Sequence, residues 1–199
     1  LQNDLKLVYV YETAHGKFPA VSPDNFDVSR KVVRYLAEMG HRRIALICGE
    51  YQKWHYMTEK YNGYLAALKE RGIMPRFEWI TCCVNPMNDI QTMLSLPASE
   101  RPTAFFCIGD GFAMRVQNSA IRMGLRVPED VQVIGYDGLK MLNTGRQLVS
   151  SIYQNTELIA KTSVDCLERL LNGEKVDNII DLPVTFIEGG STLPLTEEK

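Results

Sequence analysis

Short apolar runs alternate with longer amphipathic stretches along most of this chain. Three of the runs end in small or acidic residues: RIALIC before Gly49 and Glu50, TAFFCI before Gly109 and Asp110, and VQVIGY before Asp137 and Gly138. Such runs are typical of buried parallel strands, and the stretches between them have helical periodicity. The pattern therefore predicts an α/β protein with a parallel sheet whose strands end at one crevice, the place where open α/β sheets bind ligands.

Helices are predicted wherever apolar residues recur at intervals of three and four. The first begins after a capping residue among Asp24, Asn25 and Asp27, and Gly40 ends it. Pro183 indicates that the last strand lies at a sheet edge, because proline has no backbone N–H to donate. The predicted helices span residues 28–39, 57–68, 90–94, 112–123 and 159–170, and the predicted strands span residues 5–11, 44–48, 79–84, 103–108, 131–136, 147–152 and 180–186.

Composition places the chain among ordinary soluble globular proteins, with 45% hydrophobic and 23% charged residues. A net charge of -2 excludes an overall electrostatic attraction to nucleic acid. We interpret the one dense basic cluster, from His41 to Arg43, as a solvated helix end. No apolar stretch approaches the ~20 residues of a membrane span, and no signal peptide is recognisable.

The five cysteines have neither the spacing of zinc ligands nor a CxxC pair. They fall mostly on buried strands and on the apolar stripe of a helix, so we expect free thiols in a reducing compartment, the cytoplasm. The three histidines are scattered, and the sequence has no nucleophile elbow, HExxH pair or P-loop. We therefore expect no metal, no cofactor and no enzymatic activity.

Only residues 42–137 form a self-consistent series of alternating strands and helices. The flanking segments add helices at 28–39 and 158–171, each with an apolar stripe. These helices have too few partners in the chain to build a second domain. We therefore expect both stripes to need a cover from further protein or from a partner copy.

Five blocks of the chain stand out: DNFDVSRKVVRYLAEMGHRRIALICG, YNGYLAALKERGI, PTAFFCIGDGFAMRVQNSAIRMGLRVPEDVQVIGYDG, LVSSI and LPVTFIEGGST. Together they resemble the effector-binding region of LacI/GalR-family transcriptional regulators, which has a periplasmic-binding-protein-like fold. The resemblance extends from about Val21 to Thr192, loops excepted, and GLRVPEDVQVIGYDG is among its more specific blocks.

The resemblance implies a type I fold, with two lobes of parallel sheet that the chain connects by three crossings. On that basis residues 1–41 and 150–175 are assigned to a partial amino-terminal lobe, residues 42–149 and 176–193 to a complete carboxy-terminal lobe, and residues 194–199 to a tail. The implied function is that of a sugar- or metabolite-responsive regulator, a repressor. Its implied partners are a small-molecule effector, a second copy bound through the carboxy-terminal lobe, and operator DNA bound by a helix-turn-helix domain outside these residues.

The resemblance also implies ligand contacts at the strand ends. Asp137 of the GYD turn matches an aspartate that accepts hydrogen bonds from ligand hydroxyls, with an Asx turn as the alternative. Lys60 stands where the family often has the arginine of an RxxG pattern, and lysine offers a point charge without a bidentate fork. The alternative for Lys60 is a solvated helix lysine. Gly109 and Asp110, in the next strand-end loop, are further candidate ligand residues. Gly109 stands where asparagine or serine is common, so a contact is lost and room is gained.

Three further residues complete the candidate ligand site. Trp54 and His55 offer an aromatic surface ahead of Lys60, with loop packing as the alternative. Gln154 follows the LVSSI block at the hinge, and we expect it to face the cleft.

Two other functions agree with parts of the sequence. A solute-binding protein of a sugar transporter shares the fold, but the cysteine usage and the blocks HRRIAL and VPEDVQVIGYD favour the regulator. The GDG at Gly109 to Gly111 occupies the place of a dinucleotide-binding fingerprint, but Met114 stands where a third glycine or alanine is expected. A nucleotide-cofactor enzyme is therefore a remote alternative.

Overall fold

The computed structural model describes residues 5–12, 18–83, 85–140 and 145–194, and it divides them between two sheets. The strands are β1 (Tyr9–Val10), β2 (Ala20–Ser22), β3 (Ile44–Cys48), β4 (Ile80–Cys82), β5 (Ala104–Cys107), β6 (Gln132–Asp137), β7 (Ser150–Gln154), β8 (Ile179–Asp181) and β9 (Val184–Ile187). The helices are α1 (Asn25–Glu38), α2 (His55–Glu70), α3 (Met87–Ser95), α4 (Asp110–Arg122) and α5 (Thr156–Leu171). Every predicted helix is confirmed, and the first predicted strand is reduced to two residues. Val84, the predicted end of β4, lies outside the described residues.

The large sheet has the strand order β4-β3-β5-β6-β7-β9. All its neighbouring strands are parallel except β7 and β9, which are antiparallel. The carboxyl ends of β3, β5 and β6 therefore meet at one edge, as the three apolar runs predicted. This edge carries the loops that begin at Gly49, Gly109 and Gly138.

Two apolar cores cover the two faces of the large sheet, because successive residues of each strand point to opposite sides. Ile44 and Leu46 of β3 pack with α1 and α2. Ala45 and Ile47 pack with α3 and α4 on the other face. The continuous burial of β3 and β5 follows from this double cover and explains their unbroken apolar sequences.

The position of α1 corrects the sequence-based lobe assignment. Val32 and Leu36 on its apolar stripe are buried against α2 and the large sheet, so α1 packs with residues assigned to the other lobe. The prediction that the stripe at 28–39 lacks a cover is therefore wrong. Gly63 of α2 makes this packing possible, because a Cβ there would clash with the carbonyl oxygen of Phe26 and lie 2.9 Å from Ser29 Cβ.

The small sheet has the order β1-β2-β8, and α5 packs against β1 and β2. Ile159 and Cys166 of α5 are buried, whereas Val164 is 56% exposed and Leu171 is 66% exposed. The layer of β1, β2, β8 and α5 thus leaves two apolar side chains of α5 uncovered by the described residues.

The last predicted strand is in fact two strands in different sheets. Residue 182 ends the pairing with the small sheet, where the Leu182 N–H donates to the Ser22 carbonyl at 3.2 Å. Pro183 cannot donate, and after it the chain enters the large sheet as β9. Both strands lie at sheet edges, so the edge position was predicted and the crossing was not.

The basic cluster is less solvated than predicted. The Arg43 guanidinium donates to the carbonyl oxygens of Arg101 and Ala98, and His41 Nδ1 lies 2.9 Å from Thr103 Oγ1. These contacts attach the loop after α1 to the start of β5. Among the described residues, no helix combines the length and hydrophobicity needed to cross a bilayer.

Candidate functional site

A cavity of about 500 Å³ opens at the carboxyl edge of the large sheet, beside the segments that connect the two sheets. We call it the Lys60 cavity. It combines apolar, aromatic and polar side chains from both sides of the cleft. Its lining residues are Tyr11, Asn25, Tyr56, Met57, Lys60, Ile108, Asp137, Leu139, Gln154 and Thr156.

Backbone strain is concentrated at this cavity. Tyr11 has a φ of 65° and Asp137 a φ of 119°, and in the described part of the chain no other non-glycine residue has a positive φ. Such conformations cost free energy in residues with a side chain and recur at ligand-binding sites. Both strained residues line the Lys60 cavity, one from the small-sheet side and one from the end of β6.

Lys60 presents a buried amine to the cavity. The residue is only 4% exposed, and its Nζ lies 3.4 Å from the centroid of the Tyr136 ring and 5.4 Å from that of Tyr56. Within the described residues the amine makes no hydrogen bond or ion pair, and its charged neighbour is the Asp137 carboxylate. Burial lowers the pKa of Lys60 to about 7, although the nearby Asp137 carboxylate opposes this shift.

Asp137 supplies an acceptor at the rim of the same cavity. Its Oδ1 accepts a hydrogen bond from Gln154 Nε2 at 3.0 Å, and Gln154 also lines the cavity. Partial desolvation raises the pKa of the Asp137 carboxyl, while Lys60, Gln154 and the backbone N–H of Asp110 lower it. Gly109 borders this carboxylate, because a Cβ at Gly109 would lie 3.8 Å from Asp137 Oδ2.

Asp110 has a different place from the one predicted. It is completely buried and does not line the Lys60 cavity. Its Oδ1 accepts from Ser151 Oγ at 2.6 Å, and its Oδ2 accepts from the Leu139 N–H at 2.6 Å. Burial raises the pKa of this carboxyl, and the hydrogen bonds from Ser151 and Leu139 oppose the shift. These contacts favour a structural role, in which Asp110 holds the turn after Asp137 against β7.

Trp54 and His55 lie outside the cavity lining. Trp54 is 48% exposed at the start of α2. The His55 backbone N–H donates to Glu12 Oε2 at 3.1 Å, and its Nδ1 lies 3.6 Å from Glu59 Oε1. The contacts of His55 therefore agree with the loop-packing alternative.

The aromatic surface comes instead from residues that the sequence analysis did not select. Tyr56 precedes Lys60 by four residues on α2 and faces the same cavity, and Tyr11 faces it from the opposite side. Desolvation raises the pKa of both phenols, and the Asp137 charge adds to the shift. The i, i+4 spacing of Tyr56 and Lys60 was the available sequence signal.

Asn25 was also missed, although it joins three parts of the site. It is buried at the first turn of α1, where its Nδ2 donates to Ser22 Oγ at 3.2 Å. Its Oδ1 accepts from the Tyr136 hydroxyl at 3.2 Å. Asn25 thereby connects the end of β2 to the aromatic ring beneath Lys60.

Neither a metal cluster nor a disulfide is present in the described ranges. No group of three or more His, Cys, Asp or Glu side chains is arranged to hold a metal ion there. All five cysteines are free. The residues that line the Lys60 cavity offer hydrogen bonding, charge and aromatic contact.

Comparison with known proteins places this site in a familiar fold. Residues 33–192 match the family described as periplasmic binding protein-like domain. The chain is 34% identical to the HTH-type transcriptional repressor PurR of Erwinia tasmaniensis, over 88% of the chain and 52% of that protein. The chain thus spans about half the length of the curated relatives it matches.

Two solved structures of ligand-bound regulators have the same fold. A LacI family transcriptional regulator from Lactobacillus casei with bound glucose gives a TM-score of 0.78 at 20% identity, over 93% of this chain and 69% of that one. The complex of the transcriptional regulator CelR with cellobiose gives a TM-score of 0.77 at 25% identity, over 92% of this chain and 58% of that one.

Proposed function

This chain belongs to the family of periplasmic binding protein-like domains, and on that premise we propose that it is the effector-binding region of a LacI-type transcriptional repressor. The Lys60 cavity is its effector site. The observation that carries this proposal is a 96% buried lysine whose amine faces a cavity and makes no hydrogen bond or ion pair with the described residues. A buried charge without a partner is costly, so a ligand that supplies the missing acceptor gains affinity.

The effector is a polyhydroxylated small molecule of the sugar class. Its hydroxyl groups donate to the Asp137 carboxylate, and one of its oxygens accepts a hydrogen bond from Lys60. Tyr11 and Tyr56 pack against the apolar face of its ring. The absent side chain at Gly109 leaves room beside Asp137 for a substituent. Relatives with bound glucose and cellobiose support this class.

Binding acts through the relative position of the two sheets. Tyr11 directly follows a strand of the small sheet, whereas Lys60 and Asp137 belong to elements of the large one. A ligand that contacts both sides stabilises the arrangement in which the two sheets are close enough for all of these contacts. Its effect on the conformational equilibrium is limited to the difference in its affinity for the two arrangements.

The signal passes to a DNA-binding helix-turn-helix segment outside residues 1–199. The curated relatives are named as repressors of this type and are about twice as long as the chain. We assign the interface of a homodimer to the large-sheet lobe. We assign the protein to the cytoplasm, the compartment in which operator DNA is available. We assign no enzymatic activity to the chain.

A thermal-shift screen of sugars and sugar phosphates on the full-length protein tests the effector proposal. The expected result is a higher melting temperature with one ligand or a narrow group of ligands, because a ligand that binds only the folded state stabilises it. A gel-shift assay with that ligand should then change the affinity for operator DNA. Ligand binding without any DNA binding would instead favour the solute-binding alternative.

Sedimentation equilibrium tests the homodimer. At tens of micromolar protein we expect the mass of a dimer, because a stable interface should be saturated well above its dissociation constant. A monomer at this concentration would contradict the assignment.

A further inference from the structure

Two cysteines lie side by side on neighbouring strands of the large sheet. Cys48 ends β3 and Cys82 ends β4, and the two residues are partners in the parallel register. Register partners on adjacent strands point to the same face of the sheet. The Cys48 and Cys82 sulfur atoms are 3.8 Å apart, and the Cys48 thiol donates to the Thr81 carbonyl at 2.8 Å, which holds its sulfur on the β4 side.

The backbone spacing at this pair suits a covalent link. Neighbouring strands lie about 4.8 Å apart, within the range of Cα separations of disulfide-bonded cysteines, about 4.4–6.8 Å. The sulfur atoms must approach by less than 2 Å to reach the S–S bond length of about 2.05 Å. β4 is a three-residue strand at the sheet edge, so it can move with little loss of pairing.

The two thiols differ in access. Cys82 is exposed and borders an open cavity of about 710 Å³ with Glu50, Gln52 and Lys53. That volume is large enough to admit a small organic molecule. Cys48 is completely buried behind it. A reagent in solution therefore meets Cys82 first and reaches Cys48 only through it.

We propose that Cys48 and Cys82 form a redox-sensitive pair, which a low-molecular-weight disulfide oxidises to an intrachain disulfide. In the first step the Cys82 thiolate attacks a sulfur of the disulfide RSSR, forming a mixed disulfide on Cys82 and releasing RS⁻. In the second step the Cys48 thiolate attacks Cys82 Sγ and releases the second RS⁻. The two thiol protons are recovered on the two RSH products, so the protein loses two electrons and RSSR gains them.

Oxidation has a structural consequence near the effector site. Cys48 is followed by the loop at residues 49–54, which leads directly into α2 and its cavity residues Tyr56 and Lys60. A bond from Cys48 to Cys82 ties the start of this loop to the sheet edge. Burial raises the pKa of both thiols, so the exchange is slow near neutral pH compared with that of an activated cysteine.

The experiment uses oxidised glutathione as the probe on the reduced protein, followed by denaturation in acid, alkylation and mass spectrometry. The expected result is that two of the five thiols escape alkylation until a reductant is added. Tryptic peptide 44–53, which contains Cys48, should be linked to the peptide that contains Cys82. Cys82→Ser should keep Cys48 alkylatable, and because Cys82 is exposed this variant is expected to fold.

Cys83→Ser is the matched control, since Cys83 is adjacent in sequence and its thiol contacts Asp89 instead. After treatment with oxidised glutathione, this variant should lose two alkylatable thiols, as the wild-type protein does. A glutathione adduct that persists on Cys82 while Cys48 remains free would overturn the proposal. So would a link between Cys82 and Cys83, which the control variant would abolish.

Discussion

The Lys60 amine lies over the ring of Tyr136, with Nζ 3.4 Å from the ring centroid. Lys60 comes from the second turn of α2 and Tyr136 from the end of β6. The negative face of an aromatic ring attracts a cation, and this attraction offsets part of the cost of burying the amine. The rest of the free-energy cost of burying the amine remains in the ligand-free protein. A ligand that pairs with the amine removes this cost and gains affinity.

Replacement of Lys60 by methionine should stabilise the ligand-free protein and abolish effector binding. Because the pKa of Lys60 is about 7 in the folded state and 10.5 as a reference, the unfolded state binds more protons between these values. The contribution of Lys60 to the free energy of unfolding therefore rises with pH across this window. The stability gain of Lys60→Met should be about 3 kcal/mol larger near pH 6 than near pH 9.

Chemical denaturation at both pH values measures this difference. Lys69→Met is the matched control, because Lys69 is an exposed lysine on the same helix and should give no comparable pH dependence. A Lys60→Met protein less stable than the wild type at both pH values would show that the amine is compensated in the folded protein.

Alanine at Gly63 should destabilise the protein by about 1–3 kcal/mol, the usual cost of overpacking. The new Cβ would clash with the Phe26 carbonyl oxygen, so α1 and α2 would have to separate. Gly111→Ala is the control, because its Cβ would meet no atom within 4 Å and alanine favours the helix by up to about 1 kcal/mol. Thermal unfolding should therefore move in opposite directions for the two variants.

Alanine at Asp110 should lower both stability and effector affinity. It would leave the buried Ser151 hydroxyl without its acceptor, at about 1–3 kcal/mol, and the partly buried Leu139 N–H without its acceptor at a smaller cost. The turn after Asp137 would loosen as a result. Denaturant unfolding and calorimetric titration of the same variant check the two effects. Reduced affinity at unchanged stability would instead indicate that Asp110 contacts the ligand directly.

The large sheet was predictable because β3, β5 and β6 are buried on both faces, which leaves a continuous apolar signal in the sequence. The lobe of α1 was not predictable. An amphipathic stripe indicates that something covers a helix, but it does not show that the cover is α2, the next α-helix in the chain. The small residue that permits this contact, Gly63, has no signal of its own in a single sequence.

The different roles of the two strand-end aspartates were also not predictable from the sequence. Asp110 and Asp137 both follow apolar runs, and the sequence alone predicts that both contact the ligand. Their surroundings separate them, because Ser151 of β7 faces Asp110, whereas Asp137 lies at the cavity rim beside Gln154. Which partner β7 presents depends on its register with β6, and that register is known only from the fold.

Above all, we propose that a ligand in the Lys60 cavity donates hydrogen bonds to Asp137. Calorimetric titration of the effector found in the screen, into the wild-type protein and into Asp137→Ala, tests it most directly. We predict that the variant binds more weakly by about 1.5–3 kcal/mol, the range for a hydrogen bond to a charged group. Its melting temperature without ligand should fall only slightly, since Asp137 is exposed and its hydrogen-bond partners are the Gln154 amide and the Asp110 N–H. An unchanged affinity in a folded Asp137→Ala protein would contradict the claim and assign Asp137 to its turn.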